Sequence, residues 1–319
     1  MPRPIQISVV MTTFNRSDLL AQTLDSLAAA APNQLSWQLI VVDNASTDRT
    51  ADVLASYAES LPIVSLYEPV AGYARAKNRG LEQATGEIIV FTDDDVIVAS
   101  NWLSALFDAS QRWPDVNIFG GRIQPVLPDQ LPPWLRSETM QTRMTRRFGY
   151  FYPRSDEGFV DQSPIGCNLA LRASVVGDLR LDENRGADGS SNYLQSAETD
   201  FIGRLIARGE RVLFVPDAYV DHIIRPGQLT LAAVNARAFR RGRKNALEQT
   251  ERYNSGPRIA GAPLKLWARV VLLMIRSWIV KPFGERARYS LENKLSFRRG
   301  FLYQRRLESQ QTRANDTPD

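Results

Sequence analysis

Between residues 5 and 123, short apolar runs alternate with stretches in which apolar residues recur every three or four positions. The runs near 5–11, 37–42, 62–67, 87–92 and 116–123 are rich in Ile and Val and bounded by turn residues, which predicts strands. The periodic stretches near 17–31, 48–60, 72–85 and 101–112 predict helices. Such alternation implies an α/β fold, a mainly parallel sheet flanked by helices, with the strand ends as the binding edge. From Gln124 to about Pro164 the pattern gives way to Pro-, Arg- and aromatic-rich sequence, including Pro132-Pro133-Trp134-Leu135 and Phe148-Gly149-Tyr150-Phe151-Tyr152-Pro153, read as a long surface excursion. Regular structure resumes at Gly166–Arg172, followed by a helix near 197–208 and a strand near 211–215. Beyond Pro226 the pattern is helical almost to the end.

This reading divides the chain into an α/β domain over 1–226, a basic helical extension over 227–309 and a flexible tail over 310–319. Within the domain, the pattern changes between a first half, 1–123, and a second, 124–226. The 319 residues are 44% apolar and 23% charged, which excludes disorder and fibrous repeats. A single cysteine, Cys167, excludes an internal disulfide framework and points to a reducing compartment. The net charge of +4 hides an asymmetry: residues 236–306 hold 18 Lys/Arg against 4 Asp/Glu, leaving 21 against 31 for the remainder. An acidic body therefore carries a cationic end suited to an anionic partner. The N-terminal sequence has neither the apolar core nor the cleavage site of a signal peptide, so the expected location is cytoplasmic. The apolar run Val270–Ile275 is too short to span a bilayer.

The strand Glu87–Phe91 runs straight into Thr92-Asp93-Asp94-Asp95, placing three carboxylates at a strand end. Hard oxygen ligands there suit Mg²⁺ or Mn²⁺ holding a diphosphate; the alternative is a solvated acidic loop capping the next helix. The first strand ends in Thr12-Thr13-Phe14-Asn15-Arg16, and the second in Val41-Val42-Asp43-Asn44-Ala45-Ser46-Thr47-Asp48. Next comes Ala71-Gly72-Tyr73-Ala74-Arg75-Ala76-Lys77-Asn78-Arg79-Gly80. In that order, over roughly residues 5–246, these motifs resemble glycosyltransferase family 2 enzymes of the GT-A fold.

The resemblance implies a metal-dependent, inverting glycosyltransferase that uses a nucleotide-sugar donor, UDP-linked, and a glycan or lipid-linked acceptor in cell-surface polysaccharide biosynthesis, with 1–226 as catalytic domain, 1–123 its nucleotide-binding half and 124–226 its acceptor and catalytic half. It assigns Thr12, Phe14, Arg16 and Asp43 to the nucleotide, where a carboxylate can accept the imide N–H of uracil. An Asx-turn is the alternative for Asp43. Arg75 and Lys77 fall beside the diphosphate, with Arg75 the better match to the family's Ala-Arg-Asn element. Asp93 and Asp95 match the outer acids of an Asp-x-Asp motif, Asp95 as metal ligand and Asp93 nearer ribose and bound water, with Asp94 between them. His222, the only histidine, follows a Pro-Asp-Ala-x-Val-like element and matches a metal ligand of the family, although a lone histidine is also an ordinary structural residue. Glu198 matches the general base and Asp200 is the fallback, with Ala197 and Glu198 departing from the usual Glu-Asp pair. Asn168 matches a donor-sugar residue. Trp134, Tyr150 and Tyr152 are candidates to stack on acceptor sugars, or to pack.

In the extension, Lys265, Arg269 and Arg276 share one helical stripe beside Trp267, Val271, Met274 and Trp278, a pattern suited to an anionic membrane surface through 237–306 or to packing on the domain. No nucleic-acid reading motif is present. A sugar-phosphate nucleotidylyltransferase would open on a Gly-rich loop, and a dinucleotide oxidoreductase on Gly-x-Gly-x-x-Gly; Thr12–Asp18 has no glycine. A catalytically inactive nucleotide- or membrane-binding protein of the same fold remains as the non-enzymatic reading.

Overall fold

The computed structural model describes residues 4–32, 34–190, 193–248 and 257–315, with side chains as far as Gln311. Strands β1 (Ile7–Thr13), β2 (Trp37–Asp43), β3 (Ile63–Tyr67) and β4 (Ile88–Asp93) alternate with helices α1 (Ser17–Ala29), α2 (Thr50–Ser56) and α3 (Tyr73–Glu82). The short β5 (Val96–Val98), α4 (Trp102–Arg112), β6 (Ile118–Val126), α5 (Glu138–Thr145) and β7 (Gly158–Val160) follow. Next come β8 (Asn168–Arg172), α6 (Ala173–Val176), α7 (Ala197–Ile206) and β9 (Val212–Ile223).

The strands form one mixed sheet in the order β3-β2-β1-β4-β8-β6-β9-β5, with β7 also on β9. The segment β3-β2-β1-β4 is parallel throughout. Beyond it β8 runs antiparallel between β4 and β6, and β5 and β7 run antiparallel on β9. The antiparallel partners in this half are separated by long stretches of chain, so the apolar pattern alone does not encode their direction.

Side-chain alternation along the central strands feeds two cores. Val9, Met11, Leu39, Val41 and Val90 pack with Leu20, Leu24 and Leu27 of α1 and Trp102 and Leu106 of α4. Val10, Ile40, Val42 and Phe91 face the other way, onto Ala74 and Ala76 of α3 and Phe201, Ile202 and Leu205 of α7. Because both faces are covered, β1, β2 and β4 read as near-continuous apolar runs. Consecutive strands step from β1 outward to β3, and β4 then adds on the other side of β1, so the sheet reverses its winding between β1 and β4. A crevice opens at that point, outside the carboxyl ends of the strands.

The described chain forms two compact units. The first comprises residues up to Leu127 with Thr142–Gly189 and Ser196–Ile224; the second comprises Pro128–Gln141, Ser190–Gln195 and the chain from Arg225 onward. The second unit contains α8 (Leu231–Glu248), the strand pair β10 (Arg258–Ile259) and β11 (Ala262–Pro263), α9 (Leu264–Val280) and α10 (Glu285–Asn315). Helix α10 continues through residues 310–315, and 316–319 of the expected tail lie outside the described residues. Helices α8 and α10 cross closely: a Cβ on Gly242 would lie 1.9 Å from Phe297 O, and one on Gly300 1.9 Å from Phe239 O.

Candidate active site

In the parallel register Thr12 lies beside Asp93 and Thr13 beside Asp43, so the loops after β1, β2 and β4 meet at the crevice. Asn15 (φ 51°) and Ala45 (φ 64°) adopt left-handed backbone in two of these loops. Such strain in non-glycine residues persists where neighbouring bonds hold it, and binding loops are where it collects. Here Asn15 Oδ1 accepts the Thr47 N–H (2.7 Å) and the Asn15 N–H donates to Ser46 Oγ (2.9 Å). The Asn44 side chain ties the loop onward, accepting the Gly72 N–H (2.8 Å) and donating to Val70 O (2.8 Å). Asp43 is buried and its Oδ1 accepts the N–H of Ser46, three residues on (2.9 Å), which braces the turn after β2, while Phe14 is exposed next to this loop.

The three acids have distinct partners. Asp94 is buried, accepting the Thr13 hydroxyl (2.7 Å) and one nitrogen of Arg16 (2.7 Å); the same nitrogen reaches Asp95 Oδ2 at 3.2 Å. Burial raises the Asp94 pKa against the pull of Arg16, and Asp95 adds to the rise. Burial works against the Arg16 charge as well, but the attraction of Asp94 and Asp95 prevails and its pKa is raised. Asp93 remains partly exposed, with Oδ1 3.9 Å from Lys77 Nζ. That ammonium is fully buried beneath it, donating to Thr92 O (2.7 Å) and Val10 O (3.1 Å). Lys77 thus braces the ends of β1 and β4, and burial lowers its pKa. Arg75, at the solvent side of α3, pairs with Glu183 at 2.7 Å.

Strand pairing brings His222 alongside Val96, and its Nε2 lies 3.3 Å from Asp95 Oδ1. Nδ1 lies 2.8 Å from Phe148 O, where it donates. With Nδ1 carrying that proton, Nε2 faces a carboxylate oxygen, and the pair can be satisfied by a second ring proton or by a cation. Desolvation opposes protonation of His222, yet Asp95 outweighs it and raises the pKa. Among the described residues no three His, Cys, Asp or Glu side chains converge as a ready cluster. One carboxylate and one imidazole nevertheless fit an ion such as Mn²⁺ that takes its other ligands from phosphates and water.

Glu198, in the first turn of α7, accepts a short hydrogen bond from the Tyr73 hydroxyl. Burial of the carboxyl raises its pKa, Asp93 adds to the rise, and the Tyr73 bond and Lys77 oppose it. Gly166 packs directly beneath: a Cβ there would stand 2.3 Å from Glu198 Oε1. Asp200 faces Arg204 (3.1 Å) and Arg185 (3.4 Å), held in a salt-bridge pair. Asn168 is fully buried and its amide is engaged by Trp102 Nε1 (2.9 Å), Ala218 O (2.8 Å) and Arg122 O (2.9 Å), a brace within the sheet. Trp134 belongs to the second unit, buried and stacked on Tyr289 with ring centroids 4.7 Å apart. Tyr152 packs edge-on to Phe214, and Tyr150 is exposed. Cys167 is buried with its pKa raised by desolvation, which suits packing. Tyr73, Thr13 and Gly166 were not singled out by sequence reasoning; Tyr73 and Glu198 are 125 positions apart, and no local spacing links them.

A mixed sheet flanked by helices, with acidic strand ends at its crevice, defines a GT-A glycosyltransferase fold. The model for glycosyl transferase family 2 matches residues 8–180, and the chain belongs to that family. It is similar to the succinoglycan biosynthesis protein ExoM of Rhizobium meliloti, 26% identical over 244 residues, covering 75% of this chain and 73% of ExoM. Its fold is shared with the crystal structure of Staphylococcus aureus TarS 1–349 in complex with UDP (TM-score 0.53, 17% identity, 99% of this chain and 93% of that one). The mannosyltransferase PcManGT of Pyrobaculum calidifontis, in complex with GDP-Man and Mn²⁺, is similar too (TM-score 0.54, 18% identity, 97% and 88%).

Proposed function

We propose that this chain is an inverting, metal-dependent glycosyltransferase that moves a sugar from a UDP-linked donor to a hydroxyl of a glycan or lipid-linked acceptor in surface polysaccharide assembly, at the cytoplasmic face of the membrane. The observation that carries the reading is the pairing of Glu198, a carboxyl with a raised pKa oriented by Tyr73, with the acidic strand end whose Asp93 perturbs it. A carboxylate with its pKa raised is a stronger base, suited to take the proton of an acceptor hydroxyl as that oxygen attacks the anomeric carbon. Cys167 is protonated and buried, and the displacement needs no covalent intermediate.

Asp43 Oδ2 and Phe14 are the groups for uracil, one as acceptor of the imide N–H and the other as a stacking face. Asp95 and His222 would hold the divalent cation, which supplies charge neutralisation for the departing diphosphate. Asp93 faces ribose and bound water; Thr12, Thr13, Arg16 and Asp94 fix the loop that presents them. Arg75 is the α3 cation with access to the diphosphate, while Lys77 and Asn168 act behind the site. The acceptor class is supported by ExoM, named for succinoglycan biosynthesis, and the donor by the TarS complexes with UDP and UDP-GlcNAc.

Calorimetric titration of UDP, GDP, CDP and ADP, with and without Mn²⁺, tests the donor site. UDP should bind selectively, more tightly with Mn²⁺, and the gain should vanish in Asp95→Ala. NMR of the product anomer from a UDP-sugar then tests inversion. Metal-independent binding, or no preference for UDP, would overturn the assignment.

A further inference from the structure

Helix α9 packs through Leu266 and Val270, both buried, and Trp267 Nε1 donates to Ile259 O (3.0 Å). Its other side is apolar and exposed: Val271, Leu272, Ile275, Trp278 and Ile279 are all open to solvent, followed by Phe283 just beyond the helix. Trp278 is 76% and Phe283 73% exposed, values at odds with the ordinary placement of such residues. At 100° per residue these helical positions occupy an arc of about 120°, and Lys265, Arg276 and Arg269 follow as a stripe along one edge of it. From Pro257 to Gly284 the sequence contains five Lys/Arg and no Asp/Glu.

We infer that α9 is an in-plane membrane anchor that inserts its apolar arc into the interface of an anionic bilayer, its cationic stripe lying against the headgroups. The helix is about 26 Å long, shorter than the roughly 30 Å hydrocarbon core, and carries a charged flank. Among the described residues no helix is long and apolar enough to cross a membrane. Lying in the interface satisfies both faces at once. Charge selects the occupant: a second copy of the chain would bring the same cations to the stripe, whereas anionic lipid brings counter-charge. The inference gives structural content to the membrane location proposed above and stands apart from the donor chemistry.

Co-sedimentation of the full chain with vesicles of phosphatidylcholine, alone or with one third phosphatidylglycerol, tests it without nucleotide. The chain should bind the anionic vesicles and release them at high salt. Trp278→Ser with Phe283→Ser should weaken binding at least about tenfold. Neutralising Lys265, Arg269 and Arg276 to Gln should reduce it about fivefold per charge. These side chains are exposed, so circular dichroism and thermal unfolding should match wild type. Absence of vesicle binding, or binding unchanged in both variants, would overturn the inference. So would sedimentation equilibrium in which Trp278→Ser turns a dimer into a monomer, because a second copy would then own the face.

Discussion

Replacing Gly166 with alanine puts a methyl group 2.3 Å from Glu198 Oε1, 2.7 Å from Cδ and 2.8 Å from Cγ. Ordinary van der Waals contact begins at 3.4 Å, so the carboxyl must withdraw by about 1 Å. The backbone at Gly166 lies outside the left-handed region and tolerates a side chain, which confines the effect to the carboxylate. A displacement of that size lengthens the path of the proton from the acceptor hydroxyl and disturbs the bond from Tyr73. Misplacement by about 1 Å at a reacting centre is worth roughly a 100-fold loss of rate. We therefore expect kcat for nucleoside diphosphate release at saturating UDP-sugar and Mn²⁺ to fall about 100-fold. UDP affinity should stay within about twofold, since Glu198 has no part in holding the nucleotide, and the melting temperature should hold. A kcat within about threefold of wild type would refute the assignment of Glu198 as base. An equal loss of UDP affinity would refute the argument too, by showing that the site had collapsed.

Lys77→Met removes the donor from Val10 O and Thr92 O and the buried charge near Asp93; stability should drop by about 3 kcal/mol in urea titration, and a loss below about 1 kcal/mol would contradict the bracing role. Gly242→Ala or Gly300→Ala forces α8 and α10 apart, which should destabilise the second unit by about 2–3 kcal/mol, read as earlier proteolysis within these helices. Asp48 has its pKa lowered to about 2: burial opposes the shift, but hydrogen bonds from Thr50 and Ser17 prevail. Its stabilisation is therefore present above the ordinary carboxylate value and lost as pH falls toward about 2. Asp48 is exposed, so the difference between wild type and Asp48→Ala should be about 1 kcal/mol at neutral pH, shrinking below the ordinary carboxylate value and closing as pH falls through about 2 in parallel denaturation curves.

The parallel half of the fold was legible because β1, β2 and β4 are buried on both faces and must be apolar throughout, while α1 and α4 carry their core residues at helical spacing. The three-residue β5 left no signal of its own, and without it the adjacency of Asp95 and His222 is invisible. Residue type alone leaves the partner of a side chain open. Lys77, expected beside a diphosphate, lies fully buried against two carbonyls; Trp134, a candidate to stack on sugar or to pack, stacks on Tyr289. The amide of Asn168 is taken up by the sheet. In each case the partner comes from a distant part of the chain, which no local spacing reveals.

Crowding three carboxylates onto one strand end has a consequence for evolvability. Arg16 and Lys77 hold Asp93, Asp94 and Asp95 in place before any donor arrives, so the repulsion among them is overcome during folding and not at each turnover. The native state carries that burden permanently, and substitutions that relieve it, such as Asp94→Asn, should yield a sturdier but poorer catalyst. A lineage selected only for persistence should shed these acids early.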